Sequence, residues 1–272
     1  MPTARAEIDQ ETIQRLRWYH TMDLPGGNVT PGEFDLRPIV ARLPIPARMD
    51  GMRCLDVGGR DGFYAFEMER RGAGEVVSID IEDPADVDCA GSRPDDEAIR
   101  QELAAGNRAF EFARAVLGSS VQRRMVSVYD LERESIGRFD FAVIGTLLHH
   151  LRDPVLAMSR VRGVLDGRLL VNNSVVPGLT SWRRAPRAVP LMLDGVPFWW
   201  LPNPAGLRKM VEGAGFVVER TGGPYFLPYG PGFDLDTFRW FTRGGLLGLP
   251  SRTFARRGDL HAWVLARPRE TR

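Results

Sequence analysis

The sequence predicts an α/β fold in which a mostly parallel sheet of seven strands is covered by helices on both faces. Two observations carry that reading. First, Arg53-Cys-Leu-Asp-Val57 is a short apolar segment that runs into Gly58, Gly59 and Gly62 and then into a helix at residues 63–70. Second, strand-like segments ending in an acid or a glycine alternate with helical segments from there onward. Leu55 and Val57 suit a strand buried on both faces. The glycines let the turn approach a ligand closely, and the helix N-terminus points free N–H groups at it. An anionic or polar ligand belongs at that corner.

Taken in order, residues 8–19 read as a helix, with Ile13, Leu16 and Tyr19 spaced along one apolar stripe. Residues 18–33 are rich in turn formers yet dense in aromatic and polar side chains, so Trp18, Tyr19 and His20 are expected to close over the ligand corner. A second short helix is expected at residues 35–43, ahead of a Pro44–Pro46 linker. This divides the chain into an N-terminal helical lid, residues 1–50, and a ligand-binding domain, residues 51–272.

Within the second part, Gly72-Ala-Gly74 stops the first helix, and residues 75–80 form the second strand. Asp80 closes that strand about twenty residues after the glycines, where an acid accepts hydrogen bonds from ribose hydroxyls. A polar loop at 84–94 leads to a long helix at 95–117, with Leu103, Phe110, Phe112 and Leu117 as core residues. The third strand, 124–131, is expected to end in Tyr129-Asp130, and the fourth, 141–144, leads to Gly145 and Thr146. Asp153-Pro154 starts the next helix, and residues 168–174 form the fifth strand. Asn203 is placed to cap a helix at 204–214 that Gly215 ends. Residues 216–221 and 261–267 complete the sheet. No internal repeat is evident.

A dinucleotide fingerprint requires Gly-x-Gly-x-x-Gly, but the residue two after Gly58 is Arg60 and the next glycine, Gly62, comes four after it. Asp56 followed by Gly58 and Gly62 instead resembles motif I of the class I S-adenosyl-L-methionine (SAM) methyltransferases, with Arg60 in place of the usual middle glycine. The resemblance implies a Rossmann-like fold with SAM as cofactor. It places Tyr19, Asp56, Gly58, Gly59 and Gly62 at the cofactor, Asp80 and Ile81 at the ribose, Asp130 at the adenine amino group and Tyr129 along the ring. Gly145 and Thr146 fall beside the methionine portion.

More narrowly, "WYHTMDLPGG", "LDVGGRDGFYAFEMERRGA", "LLHHLRDP" and "WWLPNPAGLRKMVEGAGF" resemble the family around the tRNA wobble-uridine methyltransferases and carboxymethyltransferases, over residues 18–216. Those tRNA enzymes have a sizeable region ahead of the motif, and this chain has about fifty residues there. The short relatives are similar to small-molecule methyltransferases of biosynthetic type. A small-molecule acceptor is therefore expected, with tRNA and a SAM or carboxy-SAM donor as the alternative. A non-catalytic SAM-binding protein is a third reading, for which Arg60 is the only hint.

Methyl transfer to a hydroxyl or an acidic carbon is helped by a general base, and histidine has the right basicity near neutrality. His20, His149 and His150 are the candidates, while Asn172 and Asn173 stand where they could orient an acceptor. Aromatic and proline-rich insertions near 178–203 and 223–250 suggest an acceptor with a flat or apolar part. Cys54 and Cys89 offer neither a disulfide framework nor metal-ligand spacing, so no metal is expected.

The net charge is +1, yet residues 181–272 hold 14 Arg or Lys against 7 Asp or Glu. That asymmetry permits an RNA or phosphorylated partner. The arginines are scattered, however, and read more simply as a solvated face. No stretch approaches about twenty uninterrupted apolar residues, so no membrane span is expected. The N-terminal residues lack a signal-peptide core, which predicts a cytoplasmic protein. A homodimer is compatible with the sequence.

Overall fold

The computed structural model describes residues 10–90, 93–176, 185–190, 198–234 and 257–270. Its centre is a sheet of seven strands: β1 (Arg53–Val57), β2 (Glu75–Asp80), β3 (Gln122–Met125), β4 (Phe139–Gly145), β5 (Leu165–Ser174), β6 (Phe216–Leu227) and β7 (Asp259–Pro268). They lie in the order β6-β7-β5-β4-β1-β2-β3. Strands β1 to β5 are mutually parallel, and only β7 runs antiparallel to its neighbours β5 and β6. This is the mostly parallel seven-stranded sheet expected from the sequence.

Among the described residues seven α-helices accompany it: α1 (Gln10–Arg15), α2 (Arg37–Val40), α3 (Phe63–Arg70), α4 (Asp96–Leu117), α5 (Arg133–Ile136), α6 (Pro154–Val164) and α7 (Pro204–Gly213). Because side chains alternate across a strand, the central strands feed two cores. Leu55, Val57, Val77 and Ile79 join Met158 and Val161 of α6 and Leu207 and Val211 of α7. Cys54, Val76, Phe141 and Val143 join Phe66 and Met68 of α3 and Phe110 and Ala113 of α4. Helices thus cover both faces.

Local signals fix the helix ends. Asp95, Asp153 and Asn203 each accept a backbone N–H three residues on, capping α4, α6 and α7. Gly118 closes α4 in the left-handed region at φ +62°.

Two expectations are corrected. The third strand stops at Met125, and Tyr129 and Asp130 lie in a short 3-10 turn, because the Ser127 hydroxyl accepts the Tyr129 N–H and closes the backbone locally. The expected helix at 8–19 is a helix only over Gln10–Arg15 among the described residues. The Trp18 indole donates back to the Ile13 carbonyl, and the N–H groups of Tyr19 and His20 are drawn off to a carboxylate elsewhere in the fold. The second N-terminal helix is likewise short, Arg37–Val40.

Residues 17–35 are nevertheless well anchored. Trp18, Met22 and Leu36 are buried in the same core as α3 and α4. Further along, Gly230 N–H donates to the Glu33 carbonyl and Asp35 N–H to that of Pro228. The segment therefore runs from α3 to the connection after β6. In the first insertion, Ala188–Pro190 pairs antiparallel with Trp200–Pro202. Much of the two insertions expected to shape the acceptor pocket, residues 177–184, 191–197 and 235–250, lies outside the described residues.

Candidate active site

Strand β1 ends at Val57, and the chain enters a turn in which Gly58, Arg60 and Gly62 take φ of +72°, +47° and +90°. Gly58 and Gly59 both donate to the Ile79 carbonyl, at 2.9 and 3.0 Å, which ties the turn to the end of β2. A Cβ on Gly59 would lie 2.0 Å from Ser78 Oγ and 2.7 Å from Asp56 Oδ2, so only glycine fits there.

Arg60 keeps the left-handed conformation that a middle glycine would supply. Its side chain leaves the turn along α4, pairs with Glu102 and crosses Gly106, where a Cβ would stand 3.0 Å from Arg60 Cδ. The substitution changes where a side chain goes, not the path of the turn. The N-cap Gly62 makes no side-chain cap and Ala65 N–H donates to the Asp56 carboxylate beneath the turn, which leaves the first N–H groups of α3 directed at the corner.

Two aspartates flank the turn. Asp56 is buried beneath it, and burial pushes its carboxyl up to about 7 despite the opposing fields of Arg123 and His20. Asp80, at the end of β2, accepts from Ile81 N–H at 2.9 Å on Oδ1, and from Arg60 N–H and Arg123 Nη2 at 3.0 Å on Oδ2. A carboxylate offers about four acceptor positions, so Oδ1 keeps one for a ligand hydroxyl, where the sequence reading gave it two. Arg123 was missed in the sequence. It is almost fully buried, donates also to the Arg60 carbonyl and Ser78, and lies 4.3 Å over the Phe110 ring.

A third aspartate, Asp61, was also missed, and it joins the N-terminal segment to the turn. It is fully buried. Its Oδ2 accepts the backbone N–H groups of Tyr19 and His20 at 2.8 and 2.7 Å, and its Oδ1 lies 2.5 Å from His20 Nδ1. Burial alone would raise the Asp61 carboxyl, but the His20 ring and these N–H groups outweigh it and hold it below its ordinary value. A buried carboxylate in that setting is an acceptor only, so Nδ1 carries a proton and a neutral ring leaves Nε2 bare. The ring itself is packed 5.3 Å from Phe63 and 4.8 Å from Tyr19.

Beyond β4, Gly145 faces Tyr64 so closely that a Cβ would fall 2.3 Å from the ring. Thr146 takes φ +56°, donates its N–H to the Asn172 carbonyl at 2.7 Å, and sets Oγ1 3.2 Å from His261 Nε2. The Asn172 side chain bridges the Tyr64 and Tyr225 hydroxyls at 3.0 and 2.6 Å. His20, Tyr64, Asn172, Thr146 and His261 are all buried. His20, Tyr64 and Thr146 thus stand with the glycine turn.

The other predicted residues are placed differently. His149 and His150 sit on the 3-10 turn after β4 with their rings 4.1 Å apart, His149 lying 4.5 Å from Phe198. Burial, then His150 and His261, push His149 well below its ordinary value, and its Nδ1 has no partner. Tyr129 donates to Asp88 at 2.6 Å and accepts from Asp153 N–H at 3.1 Å, while Asp130 is exposed. Among the described residues no group of three or more His, Cys, Asp or Glu could hold a metal ion, and no helix is long and apolar enough to cross a membrane.

Known proteins resemble this chain in sequence and in fold. A family model described as "Methyltransferase domain" matches residues 33–221. The tRNA U34 carboxymethyltransferase of Methylococcus capsulatus is 27% identical over 176 residues, which is 64% of this chain and 47% of that protein. The chain therefore spans about half the length of the curated relative it matches.

Among solved structures, the N-terminal domain of EvdMO1, crystallised in the presence of SAH and D-fucose, aligns with a TM-score of 0.53 at 15% identity, over 96% of this chain and 94% of that one. A Listeria monocytogenes chain designated an S-adenosylmethionine-dependent methyltransferase aligns with a TM-score of 0.50 at 12% identity, over 83% and 94%. These two likenesses show the fold. With the family model covering more than half of its length, the chain belongs to the methyltransferase-domain family.

Proposed function

We propose that the chain binds SAM at the β1–α3 turn and directs methyl transfer to a small-molecule acceptor, with His20 as general base. The observation that carries the proposal is the Asp61–His20 pair. One residue of the glycine turn orients the imidazole and, through two backbone hydrogen bonds, holds the segment that covers it.

The residues fit the cofactor. Asp80 keeps an acceptor position for a ribose hydroxyl, the first N–H groups of α3 suit a carboxylate, and the left-handed φ of Arg60 preserves the turn. Gly145 and Thr146 would edge the methionine portion, and Tyr129 and Asp130 the adenine. The cofactor supplies, when bound, a methyl group on a positively charged sulfur. The chain's own task is to align the acceptor, exclude water and remove a proton. His20 Nε2 is suited to that last step because Asp61 stabilises the imidazolium that forms. His149 is a poorer base, since burial and two neighbouring imidazoles oppose its protonation.

A small acceptor is favoured because His20, Tyr64, Asn172 and His261 are all buried, and an enclosed site suits a metabolite better than a folded RNA. The metabolite would belong to specialised biosynthesis. The tRNA reading is supported by the Methylococcus relative and by the motif resemblance over residues 18–216. It predicts copurifying RNA and activity that falls steeply with salt. The test is His20→Ala, assayed for S-adenosylhomocysteine production with an acceptor found by screening metabolite pools. Turnover should fall about 10²–10⁴-fold with SAM affinity unchanged. Wild-type turnover in this variant would remove the base assignment.

A further inference from the structure

Tyr64 and Tyr225 share one partner, and that partner cannot satisfy both. Asn172 Nδ2 donates to the Tyr64 hydroxyl at 3.0 Å, and the Tyr225 hydroxyl donates to Asn172 Oδ1 at 2.6 Å. An asparagine side chain offers one acceptor atom and one donor group. Turning the amide over exchanges the two phenols but not the outcome: one donates to Asn172, the other accepts from it and keeps its own O–H. As arranged, the unspent proton belongs to Tyr64. Burial raises both phenols above their ordinary range, so both protons stay in place.

The location of that proton is specific. Tyr64 is 3% exposed. Its ring lies against Gly145 at the end of β4, and its centroid is 6.3 Å from that of His20. Asn172 sits opposite Gly145 in the β4–β5 register, and the Tyr225 ring lies 6.2 Å from His261. A buried donor without an acceptor is costly unless something else fills the role. Here it stands between the proposed base and the strand end that the methyl group would face.

We propose that Tyr64 donates its hydroxyl proton to an oxygen of the acceptor, so that the acceptor presents a carbonyl or an oxyanion beside the atom that is methylated. Phenolic and enolic molecules fit that description. The proposal rests on the methyltransferase reading above. Tyr225 acts through Asn172 as a positioning residue: by occupying the amide oxygen it keeps Tyr64 from spending its proton there.

The experiment titrates the full chain with 4-nitrophenol in the presence of saturating S-adenosylhomocysteine, following the phenolate absorption band. Wild type should bind the phenolate and shift its band to shorter wavelength, as a hydrogen-bond donor does. Tyr64→Phe should weaken binding about 10- to 100-fold and abolish the shift, with S-adenosylhomocysteine affinity unchanged. Tyr225→Phe should weaken it as well, because Asn172 can then turn and capture the Tyr64 proton. The double variant should be no worse than Tyr64→Phe alone.

Equal phenolate binding by wild type and Tyr64→Phe, or no binding to wild type, overturns the proposal while leaving the donor reading intact. A drop in S-adenosylhomocysteine affinity in Tyr64→Phe without loss of phenolate binding also overturns it, since the donor would then serve the cofactor. Failure of wild type to bind S-adenosylhomocysteine at all overturns the methyltransferase reading itself.

Discussion

Asp61→Asn is the perturbation to which the site should respond most. The replacement is nearly isosteric, but Asp61 presents two acceptor oxygens, to the Tyr19 and His20 N–H groups at 2.8 and 2.7 Å and to His20 Nδ1 at 2.5 Å. An amide has one oxygen. Two backbone donors outweigh one ring nitrogen, so that oxygen should take the Oδ2 position and the NH₂ group should face Nδ1. Nδ1 must then become an acceptor, which moves the ring proton to Nε2 and removes the base. Three charge-assisted hydrogen bonds become neutral ones, a loss on the order of 2–4 kcal/mol in stability. Turnover should fall on the order of 10²–10⁴-fold, because that tautomer cannot accept a proton at Nε2.

The primary assay needs no acceptor. Long-range ¹⁵N–¹H spectra of a chain with four histidines report which nitrogen of each ring is protonated. Wild type should show His20 protonated at Nδ1, and Asp61→Asn should show it at Nε2. An unchanged His20 tautomer, or turnover within threefold of wild type, would show that Asp61 does not set the ring's protonation.

Asp80→Ala should weaken SAM binding about tenfold or more, read by calorimetry, because it removes a ribose acceptor and also frees Arg60 N–H and Arg123. Asp56→Asn should make the chain more stable near neutral pH. Its carboxyl ordinarily ionises near 4 but is pushed up to about 7 in the fold. The folded chain therefore holds a proton there that the unfolded chain has released, and this contribution is lost as pH rises from about 4 through 7. About three units correspond to a change on the order of 4 kcal/mol. Denaturant midpoints measured from pH 4 to 8 should show a shallower decline in the variant. Arg60→Gly should leave stability within about 1 kcal/mol, since relief of its positive φ offsets a partly exposed ion pair with Glu102. Arg60→Ala should be the less stable of the two on thermal unfolding.

Much of the sheet was legible because its signals are local. Leu55, Val57 and the glycines that follow specify a buried strand and a tight turn without reference to the rest of the chain. The caps Asp153 and Asn203 were equally readable. What escaped depends on register and long-range pairing. Arg123 looks like any surface arginine until β3 is laid beside β2, which brings it opposite Ser78 and within reach of Asp80. Asp61 was passed over as a turn residue, although an acid among glycines at a buried corner requires partners. Those partners, Tyr19 and His20, lie some forty residues away. The same carboxylate draws off two N–H groups that the predicted N-terminal helix would have used, so one omission explains both the missed residue and the shortened helix.

The claim on which all else depends is that the turn at residues 58–62 holds an adenosyl ligand despite Arg60. Calorimetric titration of the full chain with SAM and S-adenosylhomocysteine, beside Asp80→Ala, tests it directly. Saturable binding of both ligands at one site per chain is expected, weakened in the Asp80 variant. A folded chain that takes up neither ligand, or an Asp80 variant that binds as wild type does, would contradict it.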